Sequence, residues 1–155
     1  KIILFGHSAG GQFVHRWALL GGKKNVDVIA VANSGWFTMP DRDIDYPYGI
    51  KNVGITDEEL GEAFAEPVIL FIGEKDVERK PPFRDTPEAD AQGMNRMERC
   101  TNYFWQCKAK AEELRVPFRW KLETVEGAAH QGVKMAEGAA AYIFGKSSED
   151  GNRRV

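Results

Sequence analysis

Three stretches of the chain are almost unbroken in apolar residues: KIILF (1–5), VDVIAVAN (26–33) and PVILFIG (67–73). Apolar runs this short, without polar alternation, predict strands buried on both faces of a parallel sheet. A fourth stretch, FRWKLETVE (118–126), alternates instead. Phe118, Trp120, Leu122 and Thr124 fall on one side, and Arg119, Lys121 and Glu123 on the other. One dry and one wet face suits a strand nearer the edge of the sheet.

Between these runs the period lengthens to that of a helix. Phe13, Val14, Trp17 and Leu20 share one stripe, which Gly21 and Gly22 terminate. Met97, Cys100, Phe104, Cys107, Ala111 and Leu114 form another over 94–115, and a last helix is expected over 133–144. Thr56 and Glu59 have capping-box spacing for a short helix inside 34–66. This order specifies an α/β fold of four mainly parallel strands, joined by right-handed crossovers, with helices on both faces. Residues 1–145 read as one unit and 146–155 as a polar C-terminal tail.

Two connections, 34–66 and 74–93, are longer than this topology needs. Long connections in compact domains are usually functional or disordered. Both follow the carboxyl ends of strands, where open α/β sheets bind ligands.

Composition narrows the function classes. A chain of 155 residues, 43% hydrophobic and 28% charged, is ordinary for a soluble globular domain. Its 21 Lys and Arg are interspersed with 23 Asp and Glu, so no basic stripe marks a nucleic-acid or anionic-membrane surface. No apolar run reaches the roughly 18 residues of a membrane span. Cys100 and Cys107 lie about 10 Å apart along a helix, beyond disulfide reach, and read as core residues. Cys and His are too few and too scattered for a zinc site, and no metal or organic cofactor is implied.

Chemistry enters at GHSAG (6–10), where a strand leads into Ser8 and a helix leaves it. Such a turn is sharp and lifts the serine side chain clear of the sheet. Gly6 and Gly10 are expected to remove Cβ atoms that would collide there. The helix start offers unpaired N–H groups and a positive dipole end to a developing oxyanion, with the Ala9 N–H as the natural donor.

A serine hydroxyl is a weak nucleophile until a positioned base takes its proton. His7 leaves the turn in another direction, and His15, along the helix, is expected at the surface or core edge. His130, in VEGAAHQGV between the fourth strand and the last helix, is the expected base. A carboxylate should then orient its imidazole. Glu74, Glu78 and Asp85 compete for that role. Asp76 is favoured because its place just past the third strand shares a sheet edge with Ser8 and His130. Trp36 and Phe37 can line a substrate pocket or equally serve as core aromatics.

Carried by these residues, the chain resembles the C-terminal part of an α/β-hydrolase, whose triad runs in the order Ser, Asp, His. The stretches GHSAGGQFVHR, PYG, RDTPEADAQG and GAAHQGVKMA are similar to a bacterial group related to polyhydroxyalkanoate depolymerases and other carboxylesterases, over essentially residues 1–145. The resemblance implies Ser8 as nucleophile, Asp76 as acid and His130 as base. The family's first-half strands, and the loop supplying a second oxyanion donor, have no counterpart here. A sheet whose first strand has an open edge is therefore expected, as is a chain that is poorly soluble and nearly inactive when expressed alone.

The function expected is hydrolysis of a small or oligomeric carboxylic ester through an acyl-enzyme. The same residues admit an acyltransferase or a peptidase, and a binding module that kept the turn is a further alternative.

Overall fold

The computed structural model describes residues 1–21 and 25–150, with side-chain surroundings described up to Gly145. In chain order the elements are β1 (Ile3–His7), α1 (Ala9–Leu20), β2 (Val28–Ala32), α2 (Asp57–Phe64), β3 (Val68–Gly73), α3 (Pro87–Asp90), α4 (Arg96–Leu114), β4 (Lys121–Val125) and α5 (Gly132–Asp150). The strands form one four-stranded parallel sheet in the order β1-β2-β3-β4. Every strand pairs with its neighbour in the chain, in the register Gly6–Val31–Leu70–Leu122.

Alternate residues of each strand feed two cores. Ile29, Val31, Val68, Leu70 and Ile72 face α1, α2 and α4, where Val14, Leu19, Leu60, Phe64 and Tyr103 close the larger core. Ala30, Ala32, Ile69 and Phe71 face α5, against Met135, Ala139 and Ile143. Full burial of an apolar side chain of this size contributes roughly 1.5–3 kcal/mol. β3, between β2 and β4, is buried throughout, whereas along the edge strand β4 the expected alternation holds only as far as Leu122: Thr124, expected on the dry side, is exposed, and Glu123, expected on the wet side, is half-buried. β1 is only half-buried, because it forms the other edge of the sheet.

Local signals set several boundaries. Thr56 caps α2 with a full capping box, its hydroxyl accepting from the Glu59 N–H at 3.1 Å. Asn95 caps α4, which ends where Arg115 takes a left-handed φ of 57°. The short helix α3 has no counterpart in the expected elements; Thr86 caps it and Pro87 opens it. α5 runs to Asp150, past the expected end at 144 and into the expected tail, whose last residues, 151–155, lie outside the described residues. Among the described residues, no helix is long and apolar enough to cross a membrane.

The stripe on α1 sits out of phase with its expectation. Its buried residues are Gly11, Val14, His15, Ala18 and Leu19, and Phe13 is 66% exposed. The backbone sets this phase. A Cβ on Gly11 would stand 2.6 Å from the Ser34 hydroxyl, so this face of the helix presses directly on the end of β2. His15 is consequently fully buried instead of lying at the surface. The Thr38 N–H donates to its Nε2 at 3.0 Å, which leaves Nδ1 to carry the proton and donate to the Gly11 carbonyl at 3.1 Å. Burial, aided by the Arg16 charge, lowers its pKa to about 3, so the ring is neutral.

Candidate active site

Ser8 occupies the turn between β1 and α1 with φ 56° and ψ −116°, a left-handed backbone that an L residue adopts only when its surroundings impose it. Its N–H donates to the Ala32 carbonyl at 2.9 Å, tying the turn to β2. Ser8 is the N-cap of α1, yet its side chain caps nothing. Instead the hydroxyl lies 2.9 Å from Nε2 of His130. The other ring nitrogen, Nδ1, lies 2.8 Å from Oδ2 of Asp76. A carboxylate can only accept from a neutral imidazole, so Nδ1 carries the proton and Nε2 is left to accept from Ser8.

Three connections supply these groups, each leaving the carboxyl end of a strand. Asp76 follows β3, is 2% exposed, and its N–H is held by the Gly73 carbonyl at 3.0 Å. His130 sits between β4 and α5 and is partly exposed. The three competing carboxylates are elsewhere. Glu74 accepts from the Gly127 N–H at 2.8 Å, Glu78 pairs with Lys80, and Asp85 is an exposed residue of the 74–93 connection.

The glycines divide differently from expectation. A Cβ on Gly6 would run into the Gly10 carbonyl and come within 2.7 Å of Val14, so β1 and α1 touch there by backbone alone. A Cβ on Gly10 would meet nothing within 4 Å. The crowded partner of Gly6 along this turn is therefore Gly11. Gly73 does the same for the His130 loop: a Cβ there would lie 2.6 Å from the Ala128 carbonyl and 2.9 Å from that of Ala129.

Ala9 opens α1, and the N–H groups at a helix start have no carbonyl partner within the helix. Ala9 also lines a cleft of about 390 Å³, together with Ser8, Gln12, Trp36, Phe83, Arg84 and Arg96, among others. Trp36 lines this cleft. Phe37 does not: it is fully buried and stacks on Tyr103 at 4.5 Å between ring centres.

Four further residues, of which the sequence analysis weighed only His7, hold the site together. Asn33, with φ 45°, accepts from the Gly73 N–H at 2.8 Å and donates to the Ala129 carbonyl at 3.1 Å, joining β2, β3 and the His130 loop. Arg96 donates to Oδ1 of Asp76 at 3.2 Å and to the Pro82 carbonyl at 3.0 Å. Arg99, fully buried, donates to the carbonyls of Gly35 and Arg84 and so pins both long connections. His7 packs its ring 4.7 Å from that of His130, and its pKa is lowered by burial and by the neighbouring imidazole. Only Asn33 carried a readable cue, an Asn directly after an apolar strand, where left-handed backbone is common.

Among solved structures, the chain superposes on poly(aspartic acid) hydrolase-1 from Sphingomonas sp. KT-1 with a TM-score of 0.87 and 35% identity, over 90% of this chain and 53% of that one. It superposes on LpqC, a poly(3-hydroxybutyrate) depolymerase from Bordetella parapertussis, with a TM-score of 0.83 and 33% identity, over 92% of this chain and 49% of that one. The fold is that of an α/β-hydrolase. This hydrolase-fold chain spans about half the length of the solved structures it matches. No protein-family profile matches it, and no curated protein does.

Proposed function

We propose that this chain carries the catalytic centre of a serine hydrolase, within a catalytic unit spanning 1–145. Ser8 Oγ attacks the carbonyl carbon of an ester while His130 Nε2 takes the hydroxyl proton. The imidazolium so formed is stabilised by Asp76. The tetrahedral oxyanion accepts from the Ala9 N–H at the start of α1. His130 then gives its proton to the departing alcohol, leaving an acyl group on Ser8. Water, deprotonated by the same imidazole, releases the acid and restores the serine.

One observation carries this reading: the unbroken path from Ser8 through His130 to Asp76, at 2.9 and 2.8 Å. The N-cap geometry of Ser8 supports it, since a serine that only ended a helix would turn its hydroxyl back to cap it. The two similar solved structures, each named for cleaving a polymer, make an oligomeric ester or amide the substrate class to test first.

The test is labelling with a fluorophosphonate, read by intact mass and peptide mapping, on the native-length protein and its Ser8→Ala variant. The expected result is a single adduct on Ser8, absent from the variant. Undiminished labelling of the variant overturns the assignment. Turnover of matched ester and amide substrates then separates an esterase from a peptidase.

A further inference from the structure

The arginines around the cleft fall into two groups. Arg79 and Arg99 pair with Asp90 at 3.0 and 2.8 Å, and Arg96 pairs with Asp76. Arg16 and Arg84 pair with no carboxylate among the described residues. Both lie against one indole, Trp36, with guanidinium carbons 4.2 and 4.9 Å from the ring centre. Trp36 and Arg84 line the same cleft as Ser8, and the lining of that cleft contains no acidic residue.

This arrangement gathers two cations, neither paired to a carboxylate among the described residues. Two like charges share one aromatic platform, and Arg16 is half-withdrawn from water. Burial lowers the Arg16 pKa; Tyr46 and Tyr103 oppose this, and the Arg84 charge adds a smaller lowering. Arg16 is held by the Thr38 hydroxyl at 3.1 Å, while its Nη2 is buried with no hydrogen-bond partner. Arg84 is exposed, lines the cleft, and donates from Nη1 to the Tyr48 hydroxyl at 3.0 Å, which anchors the guanidinium beside the ring. A surface arginine kept only for solubility needs neither the stacking nor the tyrosine.

We propose that this part of the cleft is an anion subsite, in which Arg84 binds a carboxylate carried by the substrate near its scissile bond while Arg16, against the same indole, adds positive potential. The subsite rests on the serine-hydrolase reading for its place in catalysis, though binding at it does not. It makes the preferred substrate a carboxylate-bearing ester or amide in place of a neutral one. A guanidinium on a carboxylate contributes more than a neutral hydrogen bond, enough for roughly tenfold or more in affinity.

The test compares two 4-nitrophenyl esters on the native-length protein: the glutarate monoester, and the 5-methylhexanoate, in which an isopropyl group replaces the carboxylate. The expected ratio of kcat/KM favours the anionic ester by about tenfold, mostly through KM, and falls as salt rises. Arg84→Gln should lower that ratio about tenfold, and Arg84→Lys should keep part of it. A ratio at or below unity in the native protein, or one unchanged by Arg84→Gln, overturns the subsite.

Calorimetry on the Ser8→Ala protein separates the two readings. Binding of glutarate, but not of its diamide, that weakens in Arg84→Gln supports the subsite even if no ester is turned over. Absence of glutarate binding overturns the subsite even if Ser8 is labelled.

Discussion

Arg96 meets Asp76 inside the protein: Nη1 lies 3.2 Å from Oδ1, with 4% and 1% of the two side chains exposed. The carboxylate is thus shared, one oxygen to Arg96 and the other to His130. Removing the guanidinium would leave a buried charge half-answered. Arg96→Met should therefore destabilise the fold by about 3–5 kcal/mol in urea denaturation, with Arg96→Lys losing less. A loss within about 1 kcal/mol, the range of exposed pairs, would show that Asp76 does not depend on Arg96.

Asp76→Asn preserves shape but replaces an obligate acceptor with an amide that can also donate. The amide oxygen can then accept a hydrogen bond from Nδ1–H only by turning the amide nitrogen toward the Arg96 donors, so the His130 tautomer is no longer specified. Ester turnover should drop by about 10⁴-fold while the melting profile stays cooperative. Turnover within tenfold of the native value would remove Asp76 from the proposed mechanism.

His15 makes stability depend on pH. Its folded pKa, about 3, lies below the unfolded value of 6.5, so in that window the unfolded chain binds a proton that the folded chain refuses. Stability should therefore be full above pH 6.5 and fall as pH drops toward 3, at up to about 1.4 kcal/mol per pH unit from this group. His15→Gln should be less stable at neutral pH yet decline less steeply on acidification. Parallel curves from urea titrations across the window would contradict this.

The glycine contrast is equally direct. Gly6→Ala puts a methyl group into the Gly10 backbone and should unfold the turn, abolishing Ser8 labelling. Gly10→Ala meets nothing and gains up to about 1 kcal/mol of helix propensity. Thermal melts of the two variants should shift in opposite directions.

The strands were readable because an apolar run between turn residues has few other uses, and the turn at Ser8 because its residue order joins two elements. Of the residues singled out in sequence, His130 lies within hydrogen-bonding distance of both Ser8 and Asp76. The phase of α1 was not readable. Phe13 and His15 invert the usual preferences since backbone contact at Gly6 and Gly11, not side-chain hydrophobicity, decides how the helix sits. Arg96 and Arg99 look like solvated charges at the head of an amphipathic helix. Only the folded 34–66 and 74–93 connections supply the carbonyls and carboxylates that allow them to be buried.

The sequential sheet also separates its paired groups along the chain. Each strand docks on its neighbours in sequence, whereas His130 reaches Ser8 across 122 residues. Closing so distant a contact is entropically late, after the intervening strands have shortened the effective loop. Until then position 8 holds an alcohol with no base beside it. On the proposed mechanism, activation of Ser8 therefore waits on that closure, and a chain in which His130 is undocked is chemically silent.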